Sequence, residues 1–236
     1  MTTADLPGKG LPRSIEFLIA AAGLAVLSPL LAICAIVVRK SSPGRIIFRQ
    51  QRVGRGGKPF TLYKFRTMVV TEGGSPVTAA NDTRITPAGR ILRKWKLDEL
   101  PEIYNVLRGE MSFAGPRPEV PGLVDLSDPA WSVILSVRPG ITDPVTLCLR
   151  NEEALLAAVK DGEAFYREVI QPFKIAGYLE YLQNKNAKTD LKVIAQTLQT
   201  LLFPSTAPPA YSVALLLKSL PKEVYYPLIV GFGLLD

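Results

Sequence analysis

Residues 17–38 carry no charged side chain. Wound as a helix at about 1.5 Å per residue, such a run measures roughly 33 Å, the thickness of a bilayer's hydrocarbon core. A chain with this run must either bury it in lipid or cover it with protein. Ser28-Pro29 sits near its middle. Pro29 cannot donate to the carbonyl of Ala25, and in lipid that carbonyl needs another partner, such as a nearby serine hydroxyl. Each half alone, roughly 16 Å long, is too short to span. Arg13 precedes the run, and Arg39 and Lys40 follow it. A spanning helix concentrates its cations on one side. Cations at both ends suit a helix-break-helix that enters and leaves by the cytoplasmic face. A kinked spanning helix fits the residues equally well. A signal peptide fits poorly, because Arg-Lys follows the run in place of a small-residue cleavage site.

The chain of 236 residues is long enough for one compact domain and an appendage. Its net charge of +7 calls for an anionic partner: nucleic acid, a membrane surface or phosphorylated substrates. Histidine is absent. That excludes Ser-His-Asp and Cys-His catalysis and removes the commonest zinc ligand. A metal here would be a hard cation on oxygen ligands, Mg²⁺ first. The two cysteines, Cys34 and Cys148, imply no disulfide framework.

Beyond residue 40 the pattern predicts an α+β body, mostly helical, with a small β-hairpin region. Strands are expected at 46–53 and 60–68 around Gly54-Arg55-Gly56-Gly57-Lys58. This turn lacks phosphate-loop spacing and reads first as a plain hairpin turn. Period-two alternation puts Phe60, Leu62, Lys64 and Arg66 on one face, so two cations leave one edge of the sheet. The polar stretch 71–80 reads as a mobile loop. A helix at 88–96 carries Ile91, Leu92 and Trp95 on one face and Arg90, Arg93 and Lys94 around the others, a pattern that suits a membrane interface or a soluble core equally.

Leu97-Asp98-Glu99-Leu100-Pro101 follows. Pro101 is tolerated only in a first turn, so Asp98 and Glu99 are expected at a helix start, where anions are held. The same residues could serve as plain capping acids. The short helix stops at Gly109. Arg117 lies between Pro116 and Pro118, which keep it extended and preset to grip a diphosphate; the plainer reading is a rigid turn with a surface arginine. Arg138-Pro139-Gly140 repeats the device. Helices are expected at 152–160, at 163–183 with Pro172 kinking or splitting it, and at 190–203, capped by Thr189 or Asp190. The tail 204–236 is apolar and Tyr-rich.

Several of these stretches, taken in order, resemble the bacterial sugar transferase family, the monotopic polyprenyl-phosphate phosphoglycosyl transferases. They are Ser28-Pro29, Phe48-Arg49-Gln50-Gln51-Arg52-Val53-Gly54, Lys64-Phe65-Arg66-Thr67-Met68, and Thr86-Pro87-Ala88-Gly89-Arg90-Ile91-Leu92-Arg93 running on to Leu97-Asp98-Glu99-Leu100-Pro101. Asn105-Val106-Leu107-Arg108-Gly109-Glu110-Met111-Ser112, Gly115-Pro116-Arg117-Pro118 and Arg138-Pro139-Gly140-Ile141-Thr142 complete the set. The resemblance implies an N-terminal re-entrant membrane helix with flanks (1–40), broken at Ser28-Pro29, and a cytoplasmic catalytic domain (41–203) with amphipathic interface helices. The tail has no counterpart in it. It implies transfer of a sugar phosphate from a UDP-sugar to undecaprenyl phosphate at the bacterial inner membrane, as the first membrane step of a polysaccharide, exopolysaccharide or O-antigen pathway. Asp98 takes the nucleophile's place, Glu99 helps to hold Mg²⁺, and Arg117 belongs to the active site. Lys64, Arg66, Arg93 and Arg138 are the further candidates for binding the anionic substrates. No nucleic-acid module is recognised, and oligomeric state, including a homodimer, is left open. Two departures stand out: Asp143-Pro144-Val145-Thr146-Leu147 replaces the common Gly-x-Ala-Gln-Val, and Tyr178 stands where many members have Asp. The competing class is a non-enzymatic, basic peripheral membrane protein that binds anionic lipid.

Overall fold

The computed structural model describes residues 8–69 and 78–203. The expectations for the tail and for most of the 71–80 loop fall outside these residues. Among the described residues the chain is mostly helical, with two small sheets and one long apolar N-terminal helix.

Helix α1 runs unbroken as one element over Arg13–Ser41 with Pro29 inside it. Ser28 Oγ donates to the Ala25 carbonyl at 2.7 Å, supplying the bond that Pro29 cannot make. Both ends of α1 rest on the rest of the protein. Near its start, Ala20 packs among Phe60, Leu62, Val106 and Met111. Near its end, Cys34 and Val38 pack with Phe65 and Leu92. Between these contacts Val26, Ser28 and Pro29 are exposed.

Strands β1 (Ile47–Val53) and β2 (Pro59–Phe65) form an antiparallel hairpin, with Gln50 opposite Leu62 and Phe48 opposite Lys64. The glycine turn between them is a hairpin turn and no phosphate cradle. Gly54 N–H donates to Lys58, and Gly56 N–H is taken by the Leu135 carbonyl at 2.7 Å. Helix α2 (Pro87–Lys94) starts where Thr86 caps it, its side chain accepting from Gly89 N. A Cβ on Gly89 would lie 2.1 Å from the Thr67 carbonyl oxygen, so only glycine lets α2 approach the end of β2 this closely.

Helix α3 (Glu102–Arg108) ends at Gly109, whose φ of 82° is the left-handed cap expected of it. Asn105, fully buried on α3, ties it to the hairpin. Its side chain accepts from Tyr63 N and donates to the Thr61 carbonyl at 2.7 Å and to Glu110 at 2.8 Å. Beyond α3, strands β3 (Ser112–Ala114) and β4 (Gly140–Thr142) pair in parallel, with Ala114 opposite Thr142. Three residues each are too few to show as strands in a period-two pattern. Their meeting needs glycine, since a Cβ on Gly140 would lie 2.1 Å from Gly115 N.

Between β3 and β4 lies α4 (Pro129–Ile134), and after β4 come α5 (Pro144–Cys148), α6 (Glu152–Ala157) and α7 (Gly162–Phe165). A π-helical stretch, Tyr166–Ile170, joins α7 to α8 (Gln171–Gln183) without a gap, so the long helix expected at 163–183 is present and carries its irregularity just before Pro172. Together with α9 (Ala187–Leu202), these helices enclose the main core around Trp131, Leu155, Phe165, Val169, Tyr178 and Val193. The cap of α9 is Asn186, which forms a capping box with Thr189; neither Thr189 nor Asp190 is the cap itself. Asp190 is buried against Lys185, 2.7 Å away, and serves the core. The apolar residues Leu191, Leu198 and Leu202 of α9, and Ile91 and Trp95 at α2, face outward.

Asn105→Ala removes three side-chain hydrogen bonds and strands buried backbone groups of β2. At about 1 kcal/mol per bond, the variant is expected to lose roughly 3 kcal/mol of stability. A thermal unfolding scan of the detergent-solubilised protein checks this; an unchanged Tm would separate Asn105 from the α3–hairpin seam.

Candidate active site

After α2 the chain reverses at Lys96, which holds φ at 54°, the only positive φ of a non-glycine among the described residues. This left-handed step costs roughly 1–2 kcal/mol and starts a tight 3-10 turn, Leu97–Glu99. The turn feeds straight into α3. Ile103 N donates to Leu100 O and Tyr104 N to Pro101 O, so the first-turn donors of α3 are already engaged. Asp98 and Glu99 thus lie in the first turn of a helical segment, as expected, but that segment is the short 3-10 turn ahead of α3 and not α3 itself. The carboxylates sit one turn earlier, and side-chain cations compensate their charge.

Those cations come from two distant segments. Lys64, near the end of β2, lies 3.1 Å from Glu99 Oε1 and 3.3 Å from Glu102 Oε1. Arg117, after β3, pairs with the same Glu99 oxygen, lies 3.7 Å from Glu102, and donates its other Nη to the Ile141 carbonyl at 2.8 Å. The parallel β3–β4 pair brings Arg117 to Ile141. Burial pushes Glu99 up, but Arg117, Lys64 and Lys96 outweigh it and hold the carboxyl well below its usual range. Burial raises Glu102 more than Lys64 and Arg117 lower it. Glu102 sits in the first turn of α3 and drew no attention in the sequence. Its spacing from Lys64 along the chain gives no hint that they touch.

Asp98 differs from both. It is 7% exposed, and its Oδ1 is buried without a hydrogen-bond partner. Burial, then the Glu99 charge, raises its carboxyl above the ordinary range, against the pull of Lys64, Lys96 and Arg93. It lines a cavity of about 820 Å³ with Glu99, Lys64, Lys96 and Arg117.

The other candidates are spread out. Arg93 lines the cavity and is committed to Glu153 of α6, at 2.6 Å, and to Thr67. Arg66 also lines it, while its Nη groups donate to the Ser42 and Pro43 carbonyls and close the link from α1 to β1. Arg138 is not among the cavity's lining residues; its Nε donates to the Gly109 carbonyl at the end of α3. Ser28 and Pro29 lie far along α1. The departure at Asp143 has a structural reason. Its carboxylate caps α5, accepting from Val145 N at 2.7 Å and from Thr146 N at 3.0 Å. Tyr178 is fully buried and its hydroxyl has no hydrogen-bond partner; burial, followed by the Asp143 charge, keeps the phenol protonated.

No cluster of three or more ligating side chains surrounds one point among the described residues. That donor set still suits Mg²⁺, which is usually held by one or two carboxylates together with water and substrate phosphates. Asp98 and Glu99 offer hard oxygen donors of this kind.

A carboxylate pair in a cation-lined cavity beside an apolar helix is the equipment of a group-transfer enzyme that handles anionic substrates. The family model described as bacterial sugar transferase matches residues 8–204, and the chain belongs to that family of transferases. It is 35% identical to the UDP-glucose:undecaprenyl-phosphate glucose-1-phosphate transferase of Caulobacter vibrioides over 209 residues, 83% of this chain and 74% of that protein. It is 33% identical to the UDP-N-acetylgalactosamine-undecaprenyl-phosphate N-acetylgalactosaminephosphotransferase of Aeromonas hydrophila, over 80% of this chain and 43% of that protein. It is also 33% identical to the exopolysaccharide production protein ExoY of Sinorhizobium fredii, over 79% of this chain and 83% of that protein.

Because the raised Asp98 carboxyl costs stability when ionised, Asp98→Asn is expected to stabilise the protein at neutral pH. The gain is of the order of a buried unsatisfied group, about 1–3 kcal/mol. The advantage exists where wild-type Asp98 is charged and disappears as pH falls through its raised pKa, because both side chains are then neutral. Denaturation midpoints of the two proteins at pH 7.5 and below pH 4 check the sign.

Proposed function

We propose that this protein transfers a sugar phosphate from a UDP-sugar to undecaprenyl phosphate, releasing UMP, through a phosphosugar intermediate on Asp98. The observation that carries the reading is the unpartnered, buried Asp98 oxygen in the cavity, next to a Glu99 gripped by Lys64 and Arg117. Glu102 Oε1 also lacks a hydrogen-bond partner, but it lies 3.3 Å from Lys64 and is not among the cavity's lining residues; Asp98 lines the cavity and has no such ion pair among the described residues. An Asp98 oxygen attacks the sugar-bearing phosphorus. The bond from that phosphorus to the bridging oxygen breaks, and UMP leaves with the electron pair. An oxygen of undecaprenyl phosphate then attacks the same phosphorus and displaces the Asp98 carboxylate, giving undecaprenyl diphosphate sugar.

The attack brings like charges together. Unit charges about 4 Å apart interact by roughly 4 kcal/mol at an effective dielectric near 20. Lys64, Lys96 and Arg117 offset this repulsion with positive charge on the cavity wall, Arg117 held there by Glu99 and the Ile141 carbonyl. Glu99 would be the residue that helps to hold Mg²⁺, which would supply further positive charge for the diphosphate and the departing UMP.

In this reading α1 is a re-entrant helix in the inner membrane, with the catalytic domain on the cytoplasmic face. Its support is the docking of both ends of α1 on one body, through Ala20 and through Cys34 and Val38, with cations at both flanks. The outward apolar residues of α2 and α9 suit the lipid surface, where they would let the acceptor's phosphate reach the cavity. The ExoY relatives favour an exopolysaccharide pathway, in which this step would open assembly on the lipid.

Purified enzyme given UDP-sugar and Mg²⁺ without lipid is expected to release up to one equivalent of UMP and to gain the mass of a phosphosugar on the peptide containing Asp98. Asp98→Asn is expected to abolish both while retaining UDP-sugar binding. UMP release that waits for polyprenyl phosphate, with no trapped adduct, would replace the two-step route by direct transfer.

Cysteines placed at Lys9 and Ser42, in a chain lacking Cys34 and Cys148, are both expected to be labelled only from the cytoplasmic side. Labelling of the Lys9 site from outside would establish a span instead.

A further inference from the structure

The cavity has a second polar wall that the chemistry at Asp98 does not use. Glu119, Tyr166, Lys174 and Glu152 line it, drawn from the segment after Arg117, the π-helical stretch, α8 and α6. Lys174 Nζ lies 2.8 Å from Glu152, 3.6 Å from Glu119 and 3.0 Å from the Tyr166 hydroxyl, which in turn donates to Glu119. Burial pulls Lys174 down, yet Glu152 and Glu119 outweigh it and keep the ammonium charged. The side chains of Glu119 and Lys174 are 6% and 11% exposed, whereas Glu152 is 28% exposed and open to the cavity.

Lys174 Nζ is already engaged by Glu152, Glu119 and the Tyr166 hydroxyl, so this wall presents chiefly acceptors, which suits hydroxyls better than phosphate. It offers a fixed array of acceptors, held in place by the Lys174 ammonium, beside the apolar side chains of Val120, Leu123 and Leu147. A pyranose has matching parts: hydroxyls that donate and accept at its rim, and a C–H face that packs on apolar carbon. Placement agrees. Arg117 precedes a proline and is held extended, so Glu119 stands two residues further, about 6.6 Å along the chain. That is the reach from a phosphate to the sugar it carries, whereas the nucleoside begins one phosphate further away. Nor does this wall offer a ring for a base to stack on. Tyr166 is 2% exposed, and Lys174 Nζ lies 4.7 Å from its ring centroid.

We infer that the Glu119–Tyr166–Lys174–Glu152 wall is the subsite that receives the sugar and discriminates among hexoses, with Glu152 as the residue that reads a hydroxyl configuration. The inference rests on the transferase reading above and extends it to the substrate's sugar. The relatives make the question real, since one is named for glucose and another for N-acetylgalactosamine.

The test uses the full chain in detergent with undecaprenyl phosphate. It measures kcat/KM for UDP-glucose, UDP-galactose, UDP-N-acetylglucosamine and UDP-N-acetylgalactosamine, together with inhibition by UMP. Glu152→Gln keeps the shape and removes the charge; Glu152→Asp keeps the charge and withdraws it by one methylene. Either variant is expected to change the ratio between the best sugar and its 4-epimer by about tenfold or more, with UMP inhibition altered less than about twofold. An equal loss with all four sugars in both variants would make the wall structural. A parallel loss of UMP inhibition would make it the nucleoside's subsite. Absence of turnover in the wild type with every donor would overturn the transferase reading itself, and this inference with it.

Discussion

Lys64 and Arg117 share Glu99 and Glu102, and the body of the protein is arranged to bring these four side chains together. Each comes from a different place: the end of β2, the Pro-framed segment after β3, the 3-10 turn and the first turn of α3. Taking such charges out of water is expensive, and a buried cluster is held only where its geometry is good and its partners are complete. Asn105 locks α3 to the hairpin, and the β3–β4 pair fixes the segment that carries Arg117. Removing one cation would leave two acids sharing the other. The cluster therefore sets the spacing of the elements around it, and it leaves Asp98 as the carboxylate with an uncommitted oxygen.

The apolar helix is part of this arrangement. Arg13 donates to the Val106 and Leu107 carbonyls at the end of α3, and Glu16, almost fully buried, accepts from Phe113 N of β3. The first turn of α1 thus holds the two elements that lead into Glu102 and Arg117. A helix that only anchored the protein to lipid would need none of these contacts. The body continues the same logic: α2, capped by Thr86, delivers the chain to Lys96, whose left-handed backbone turns Asp98 inward.

Much of the local structure was legible in the sequence. The hairpin around Gly54–Lys58, the stop at Gly109, the start of α2 and the serine repair at Pro29 all follow from near neighbours along the chain. The carboxylate pair and the Pro-framed arginine were visible for the same reason. The misses were long-range. Pro101 marks a first turn and so points to Asp98 near a helix start, but it does not reveal that a separate 3-10 turn precedes α3. Arg138 and Arg117 look alike in sequence, since both precede proline; only the fold sends one to the Gly109 carbonyl and the other toward Glu99. Glu102 looks like an ordinary first-turn acid, and nothing local marks it as a partner of Lys64.

Periodicity, caps and turn residues act over a few positions, so the sequence alone determined the apolar helix, the order of the elements and the residue types available for chemistry. Which charges neutralise one another, which carboxylate keeps a free oxygen, and which second wall faces it depend on contacts between segments far apart in the chain. Lys64, Glu99 and Arg117 meet only when β2, the 3-10 turn and the segment after β3 pack together. Electrostatic energy falls with distance in space and not with separation along the chain, so the site's chemistry was decided by the tertiary structure.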